Sequence, residues 1–443
     1  HTKIELIDEF SMWGLKMLGH FSGRSNEVFN NGKFDGSDEG QLFGGVPMVI
    51  FTGDMKQLQP VKDTAPYGVL QEGATALQSV GKLVYESINQ YFILDKSMRQ
   101  VADTEFVQML QEARDGQIEN VQSMAKWNTR RLPVGRRFTK ASLIKNDKAL
   151  FLTPTNKEKA KIVAQYLRQA QDVVHYACEA DGRLASSANP NKVKAGMMTR
   201  IPLHNYFFKQ MMVKLTMNLD VQSGLSNGAR GTLVDLYYDN NDKLEYLLVD
   251  MPTYKGRRLH ELLPATYCLI GKAKVCCSEF VQSREGFPIS NGKVDTIHSS
   301  QGITAGEGEE VEYIVLHEWN KKWENRWPGC FYVASSRIKD LMNFFFSSSV
   351  DQASFTNIGK TKTCQKVHQE EQRLKKKALK NRKKDQQRGI GTKDDFKKLL
   401  KEFLDLVEKR HYTLCRNENS TAILEAANKW RAQLNTIASE SQL

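Results

Sequence analysis

Five short apolar runs, rich in β-branched and aromatic residues, each give way at once to a polar stretch, and this repeated change constrains the fold more than any other feature. The runs are KIELI (3–7), VPMVIFT (46–52), YFIL (91–94), ALFLT (149–153) and VEYIVLH (311–317). Continuous apolar runs of this length suit parallel strands buried on both faces, whose carboxyl ends carry the chemistry. Helical patterns alternate with them. Gly14 to Phe21 reads as a short helix, and Asn30 to Gly40 as a Gly/Asp/Asn loop. Asp103 is placed to cap a helix with Phe106, Val107, Leu110 and Ala113 on one face, stopped near Gly116. Lys157 to Ala170 is again helical. The class is α/β.

Residues 210–290 break that alternation. Gln210–Asn218, Arg230–Tyr238, Leu244–Asp250 and Ala265–Val275 alternate or run apolar, with turn residues such as Asp239-Asn240-Asn241-Asp242 between them. Several short strands in series predict a small antiparallel barrel inserted in the second α/β unit. Towards the C-terminus, Thr392 and Asp395 form a capping-box pattern. Phe396, Leu399, Leu400, Phe403, Leu404 and Val407 follow at helical spacing, then Ile423, Leu424, Ala427, Trp430, Leu434 and Ile437. This predicts a helical hairpin.

Composition excludes several classes. With 40% hydrophobic residues over 443 positions the chain can bury sizeable cores. No run approaches the ~18–20 apolar residues of a membrane span. Seven cysteines without a C-x-x-C pair suit neither a disulfide framework nor a zinc ribbon, and point to a reducing compartment inside the cell. The net charge of +12 is uneven: residues 365–388 carry ten Lys/Arg against three acids. Charge therefore points at that segment, as a phosphate-attracting run, a solvated linker or an import signal, and not at the main body.

The chemistry-bearing residues sit where the runs end. LIDEFSM places Asp8 and Glu9 at the first strand end, an arrangement suited to nucleotide hydrolysis, with one carboxylate toward Mg²⁺ and the other toward the attacking water. By itself such a pair is more often solvated surface. FTGDMKQLQPV follows the second run; Gly53 permits a tight turn, and the uncharged amide of Gln57 can hydrogen-bond a γ-phosphate or its water. LDKSMRQ presents Arg99, FLTPTNKEK presents Thr155 and Asn156, VDTIHSSQGIT carries Thr296, His298, Gln301 and Gly302, and FYVASSR ends at Arg337. Taken singly, either arginine is a surface ion pair and His298 a structural histidine; two arginines reaching one nucleotide would stabilise transition-state charge.

The ordered series resembles superfamily 1 DNA helicases, and most of all the petite-integration-frequency (PIF) branch with its RecD and Helitron relatives. IDEFSM is similar to motif II, GDMKQLQPV to motif III, SMRQ to motif IV, TIHSSQGIT to motif V and YVASSR to motif VI. LFGGVPMVIFTGD is similar to the segment these helicases carry before motif III, and NLDVQSGLSNGARGTL (218–233) to the start of their inserted SH3-like barrel. The resemblance covers about residues 1–347. It implies two RecA-like P-loop NTPase domains with an inserted SH3-like β-barrel and a helical tail. Residues 1–145 would be the first RecA-like domain, lacking its Walker A portion. Residues 146–215 and 291–350 would be the second, 216–290 the barrel, 351–392 a basic linker and 393–443 the helical hairpin.

The same resemblance implies an ATP-dependent helicase translocating 5′ to 3′ on single-stranded DNA and opening forked duplex, working as a monomer away from membranes, in nucleus or mitochondrion. Asp8 would hold Mg²⁺ through its water shell and Glu9 would activate water. Gln57 would sense the γ-phosphate, with Arg99 and Arg337 reaching it from the side. Gln301 and Gly302 would couple nucleotide to DNA, and Thr155, Asn156, Thr296 and His298 would lie near the single strand. The tail would bind nucleic acid or a protein partner. Two departures stand out: no G-x-x-x-x-G-K-[ST] occurs in these residues, and Gln59 stands where the family usually has Pro. A chain cut from a working helicase is the expectation; a decayed, transposon-derived copy acting as a nucleic-acid-binding scaffold is the alternative.

Overall fold

The computed structural model describes residues 4–29, 39–46, 48–94, 97–100, 103–116, 121–181, 200–277, 282–347, 359 and 361–387. They pack as two compact units. One takes the described residues of 1–53 and 60–94 and those from 368 onward; the other takes 54–59 and 95–367.

In the first unit, strands β1 (Ile4–Ile7) and β2 (Met48–Phe51) pair in parallel, Ile4 opposite Met48 and Ile7 opposite Phe51. Helix α1 (Leu15–Phe29) runs further than the expected Gly14–Phe21, and packs on α2 (Ala76–Ser87). Two glycines allow that close crossing. A Cβ on Gly81 would lie 1.8 Å from the Leu15 carbonyl oxygen, and one on Gly19 2.0 Å from that of Leu77. Thr75 caps α2, its hydroxyl accepting from the Gln78 N–H while the Gln78 side chain reaches back to the Thr75 backbone. Phe10, Leu18, Phe43, Val84 and Tyr85 form the core.

The second unit is built on a four-stranded parallel sheet, order β14-β3-β15-β16 in chain numbering. Its members are β3 (Ala149–Thr153), β14 (Val294–Thr296), β15 (Tyr313–Leu316) and β16 (Phe344–Phe346). All five β3 residues are buried, as a strand covered on both faces requires. Helix α3 (Thr104–Asp115) starts where Asp103 accepts from the Phe106 N–H and stops at Gly116, whose φ of 65° is the left-handed turn glycine tolerates. Helices α4 (Val121–Asn128), α5 (Lys140–Lys145) and α6 (Asn156–Leu167) follow.

Between α6 and β14 the chain makes antiparallel sheet. β7 (Met212–Leu215), β8 (Arg230–Tyr238), β9 (Leu244–Asp250), β10 (Tyr267–Gly271) and β13 (Ile289–Asn291) pair in the order β10-β9-β8-β7-β13. Three more strands, β5 (Glu179–Asp181), β11 (Ala273–Cys277) and β12 (Gln282–Gly286), form a second sheet, and β4 (Val174–Ala177) pairs with β6 (His204–Phe207).

One expectation is corrected. Tyr91–Leu94 is not a strand: it joins no sheet, and Leu94 is 94% exposed. Residues 95–145 belong to the second unit because the fully buried Trp127 meets Phe106, Phe331, Phe344 and Phe346 edge-on in its core. Much of the expected basic linker is α9 (Lys362–Gln387), held by the buried Val367, Leu374 and Ala378. The expected hairpin at 393–443 lies outside the described residues. No helix among those described is long and apolar enough to cross a membrane.

Candidate nucleotide and nucleic-acid site

In the first unit the acidic pair stands at the carboxyl end of β1. Asp8 is exposed, and its Oδ1 accepts from the Thr52 hydroxyl (2.6 Å) and from the Glu9 N–H (2.8 Å). The chain turns sharply there, Glu9 taking φ 52° and ψ 41°. The Thr52 carbonyl accepts from the Phe10 N–H at 2.9 Å, so the loops after β1 and β2 are stitched together. Gly53 makes this approach possible, since a Cβ there would lie 2.8 Å from the Phe10 nitrogen. An exposed carboxylate oriented through one oxygen suits an outer-shell contact to Mg²⁺, which keeps several waters and binds through one or two carboxylates plus substrate phosphates. No cluster of three or more metal-ligating side chains occurs among the described residues. The Asp8 carboxylate thus has the exposure and orientation to meet the water shell of a Mg²⁺.

The second unit gathers residues from four loops. Gln57 follows a turn in which its N–H donates to the Asp54 carbonyl (2.9 Å), and Leu58 is fully buried in the core. The Gln301 amide donates to Gln57 Oε1 at 3.4 Å. Gly302 takes φ 84° directly after Gln301, a conformation that favours glycine. Arg99 donates to the Ser336 carbonyl at 2.6 Å; the neighbouring Gln100 is buried and donates to the carbonyls of Ser336 (3.3 Å) and Ile338 (2.6 Å). Arg99 and Gln100 thus clasp the backbone on both sides of Arg337. Arg337 is itself buried, its Nε donating to the Val333 carbonyl (2.9 Å) and its Nη2 to the Ser336 hydroxyl (3.0 Å).

Two supporting arrangements were not read from the sequence. Asp54 is held by both Nε (3.0 Å) and Nη2 (2.9 Å) of Arg114, a bidentate pair, and the Tyr332 hydroxyl bonds to it too. Helix α7 (Lys321–Arg326) supplies Glu324, fully enclosed, whose carboxylate accepts from Trp319 Nε1 (2.8 Å) and from the N–H groups of Gly329 (2.6 Å) and Phe331 (3.0 Å). These bonds fix the start of α8 (Cys330–Ser335), which leads into Arg337. Burial nevertheless pushes the Glu324 carboxyl up, to about 7. Gly329, at φ 94°, lies so close to the Gln57 loop that a Cβ would sit 2.4 Å from the Lys56 carbonyl oxygen.

The four residues expected near single-stranded DNA fall at adjacent strand ends. Thr153 of β3 lies opposite Thr296 of β14 in parallel register. Thr155 caps α6, its hydroxyl accepting from the Glu158 N–H (3.3 Å), and Asn156 is the first helical residue. The Thr296 hydroxyl bonds to that of Ser299 at 3.1 Å. His298 packs edge-on against Trp327 at 5.6 Å, and burial holds its imidazole below its usual range. Polar groups at the carboxyl ends of neighbouring parallel strands are where open α/β sheets bind ligands.

Immediately behind Thr296, Asp295 is buried (1% exposed) and gathers cations from three elements. Lys214 of β7 bonds both its oxygens (3.0 and 2.9 Å), Arg230 of β8 meets Oδ2, and Lys159 of α6 is 3.5 Å away. Burial acts to raise the Asp295 carboxyl, and Arg230, Lys214 and Lys159 together hold it below the usual carboxylate range.

No family model and no curated protein matches the chain. Solved structures do. The Pif1 helicase of Candida albicans is similar with a TM-score of 0.59 at 20% identity, over 83% of this chain and 76% of that one. A Bacteroides Pif1 helicase in complex with ADP-AlF3 and ssDNA gives 0.52 at 19% identity, over 80% and 72%. A Pif1 structure describing unwinding at forked dsDNA by two coordinating helicases gives 0.52 at 20%, over 80% and 71%. At these identities the likeness establishes a shared fold.

Proposed function

We propose that this chain forms the motor of an ATP-dependent DNA helicase of the PIF type, moving 5′ to 3′ on single-stranded DNA. One observation carries the reading. Within the second unit the Gln57 loop touches Gln301, and Arg99 with Gln100 holds the backbone around Arg337. Loops far apart in sequence thus converge in the order and with the residue types that a nucleotide sensor and charge-stabilising arginines need. Fold likeness to Pif1 helicases, including ones with ADP-AlF3, ssDNA and forked dsDNA, supports it.

In this reading Asp8 contacts the water shell of a nucleotide-bound Mg²⁺, which would neutralise charge on the phosphates. Glu9 accepts a proton from the attacking water, and Gln57 reports the γ-phosphate to Gln301. Gln301 continues directly into the Thr296–His298 turn, so a change at the nucleotide is passed to the residues set near the strand. Thr155 and Asn156 would hold the strand's backbone beside them. The antiparallel insert takes the role of the SH3-like domain.

The 443 residues contain no Walker A sequence. By themselves they should bind single-stranded DNA and release little or no phosphate; appreciable turnover would contradict this assignment. Expressed behind a Walker A-bearing segment, they should show phosphate release stimulated by single-stranded DNA. Glu9→Gln should then cut it by ~10²–10⁴-fold, the usual worth of a general base. A scaffold without turnover predicts DNA binding but no stimulated release, and full activity in Glu9→Gln would remove Glu9 from its role.

A further inference from the structure

We infer that the outward face of α9 is a second nucleic-acid surface, a track for the phosphate backbone of duplex DNA. The inference rests on the helicase reading above for its biological setting, but its physical basis is separate. Helix α9 has two opposed faces. On one, Glu371, Leu374 and Ala378 are buried at 7%, 4% and 2% exposure. A row of polar bonds fixes this side to the first unit: Tyr85 donates to Glu370 (2.7 Å), Asn381 to the Asn89 carbonyl (2.9 Å) and Arg382 to the Tyr91 carbonyl (2.9 Å). The Arg382 guanidinium also covers the Phe92 ring at 4.6 Å.

On the other face stand Lys376, Lys380, Lys383 and Lys384, all exposed. At 100° per residue they fall within about a 100° sector spanning ~12 Å of helix. None of the four has an acid partner among the described residues. Arg373, next in the row, is clamped by Glu370 (2.8 and 2.6 Å), and Glu371 is turned inward. Like charges at this spacing repel and cost the helix a few tenths of a kcal/mol per pair. Buried side chains and backbone bonds already hold the helix, so these lysines are not needed for its stability. An unpaired cationic row on a rigid support is complementary to a polyanion.

Two details select duplex DNA. Residues 369–384 include no aromatic side chain, so the face lacks the stacking platforms on which single strands are held. Val367, Leu374 and Ala378, which form the helix's apolar stripe, are buried against the protein and leave Leu379 as its one exposed large apolar residue among those described, too little for the continuous apolar face by which an interfacial helix enters a lipid surface.

The test compares the whole chain with a variant carrying Lys376, Lys380, Lys383 and Lys384 all as Gln, and with a second carrying all four as Arg. Fluorescence anisotropy is read on a blunt duplex and on a single strand of equal length between 50 and 200 mM salt. Four lost phosphate contacts should flatten the log–log salt slope on duplex by about 3.6, at ~0.9 per contact. Duplex affinity at low salt should drop by about two orders of magnitude, with a smaller effect on the single strand. The Arg variant should keep the parent slope, and equal far-UV circular dichroism shows that all three proteins retain the helix. An unchanged duplex slope in the Gln variant overturns the proposal. So does an equal loss on both DNAs. Asn156→Ala and His298→Ala separate this result from the helicase reading. If they leave single-strand binding intact while the lysine substitutions flatten the duplex slope, the track stands and the reading of the strand-end site falls.

Discussion

Replacing Asp295 by asparagine removes one charge and almost no volume, so its consequence isolates the electrostatics of the buried cluster. Lys214, Arg230 and Lys159 have side-chain exposures of 14%, 4% and 24%, and Asp295 is the acid that faces all three. Breaking a buried pair by deleting one partner costs ~3–5 kcal/mol, because the remaining cations stay desolvated. For a unit of this size each kcal/mol moves the melting temperature by about 2–4 °C, which sets the expected drop at roughly 6–20 °C. The assay is calorimetric unfolding of the parent and Asp295→Asn at pH 7. The pH dependence adds a second check. The folded carboxyl lies below its unfolded value of about 3.9, so its contribution is complete above that value and is lost as pH falls through the folded one. The gap between the two proteins should stay constant from pH 8 to about 5 and close only in stronger acid. Lys214→Met added to Asp295→Asn should recover at least ~1 kcal/mol by removing one stranded cation. A drop below 2 °C, or a gap already closing at pH 6, would refute the reasoning.

Lys293 is fully buried, and burial drives its amine down to about 7 against the opposing pull of Asp147. The unfolded chain keeps that proton to about pH 10.4, so the folded state should gain up to ~1.4 kcal/mol per pH unit between 7 and 10. Lys293→Met should raise the melting temperature at pH 7 and abolish that slope; a parent whose stability is flat from pH 7 to 9 would exclude it. Gly53→Ala forces a methyl against the Phe10 backbone, which cannot yield as a side chain could. A loss of ~1–3 kcal/mol is expected, read as a lower melting temperature.

Local signals in the sequence reported local structure well. The Asp103 cap and the Gly116 stop are visible as residue types because each acts on a backbone group within a turn of itself. The strand end carrying Thr153 is visible because β3 is covered on both faces and so stays apolar until it leaves the sheet. By contrast, β1 and β2 are only partly covered, with Leu6 58% exposed, and β14 carries the charged Asp295, so for Asp8 and Thr296 the loop motifs and not an apolar run were the guide. Tyr91–Leu94 misleads because an apolar run states only that a segment avoids water, and these residues lie on the surface beside the basic helix. That helix was hidden by its charge: Val367, Leu374 and Ala378 have the right spacing but are outnumbered by lysines. Trp127 and Asp295 could not be placed at all, since their partners are dispersed along the chain and no periodicity links them.

The central parallel sheet has a consequence for how the protein is made. Phe151 pairs with Val294, so two neighbouring strands lie on either side of everything that forms the antiparallel sheets. Bringing such distant segments together carries a closure entropy that grows with the length of free chain between them, and contacts of that separation slow assembly. Collapse of the intervening strands first, through the adjacent β8–β9 hairpin, would shorten the effective tether before Val294 has to find its place. Substitutions inside that hairpin should then retard refolding of the sheet beside it, although they touch none of its residues.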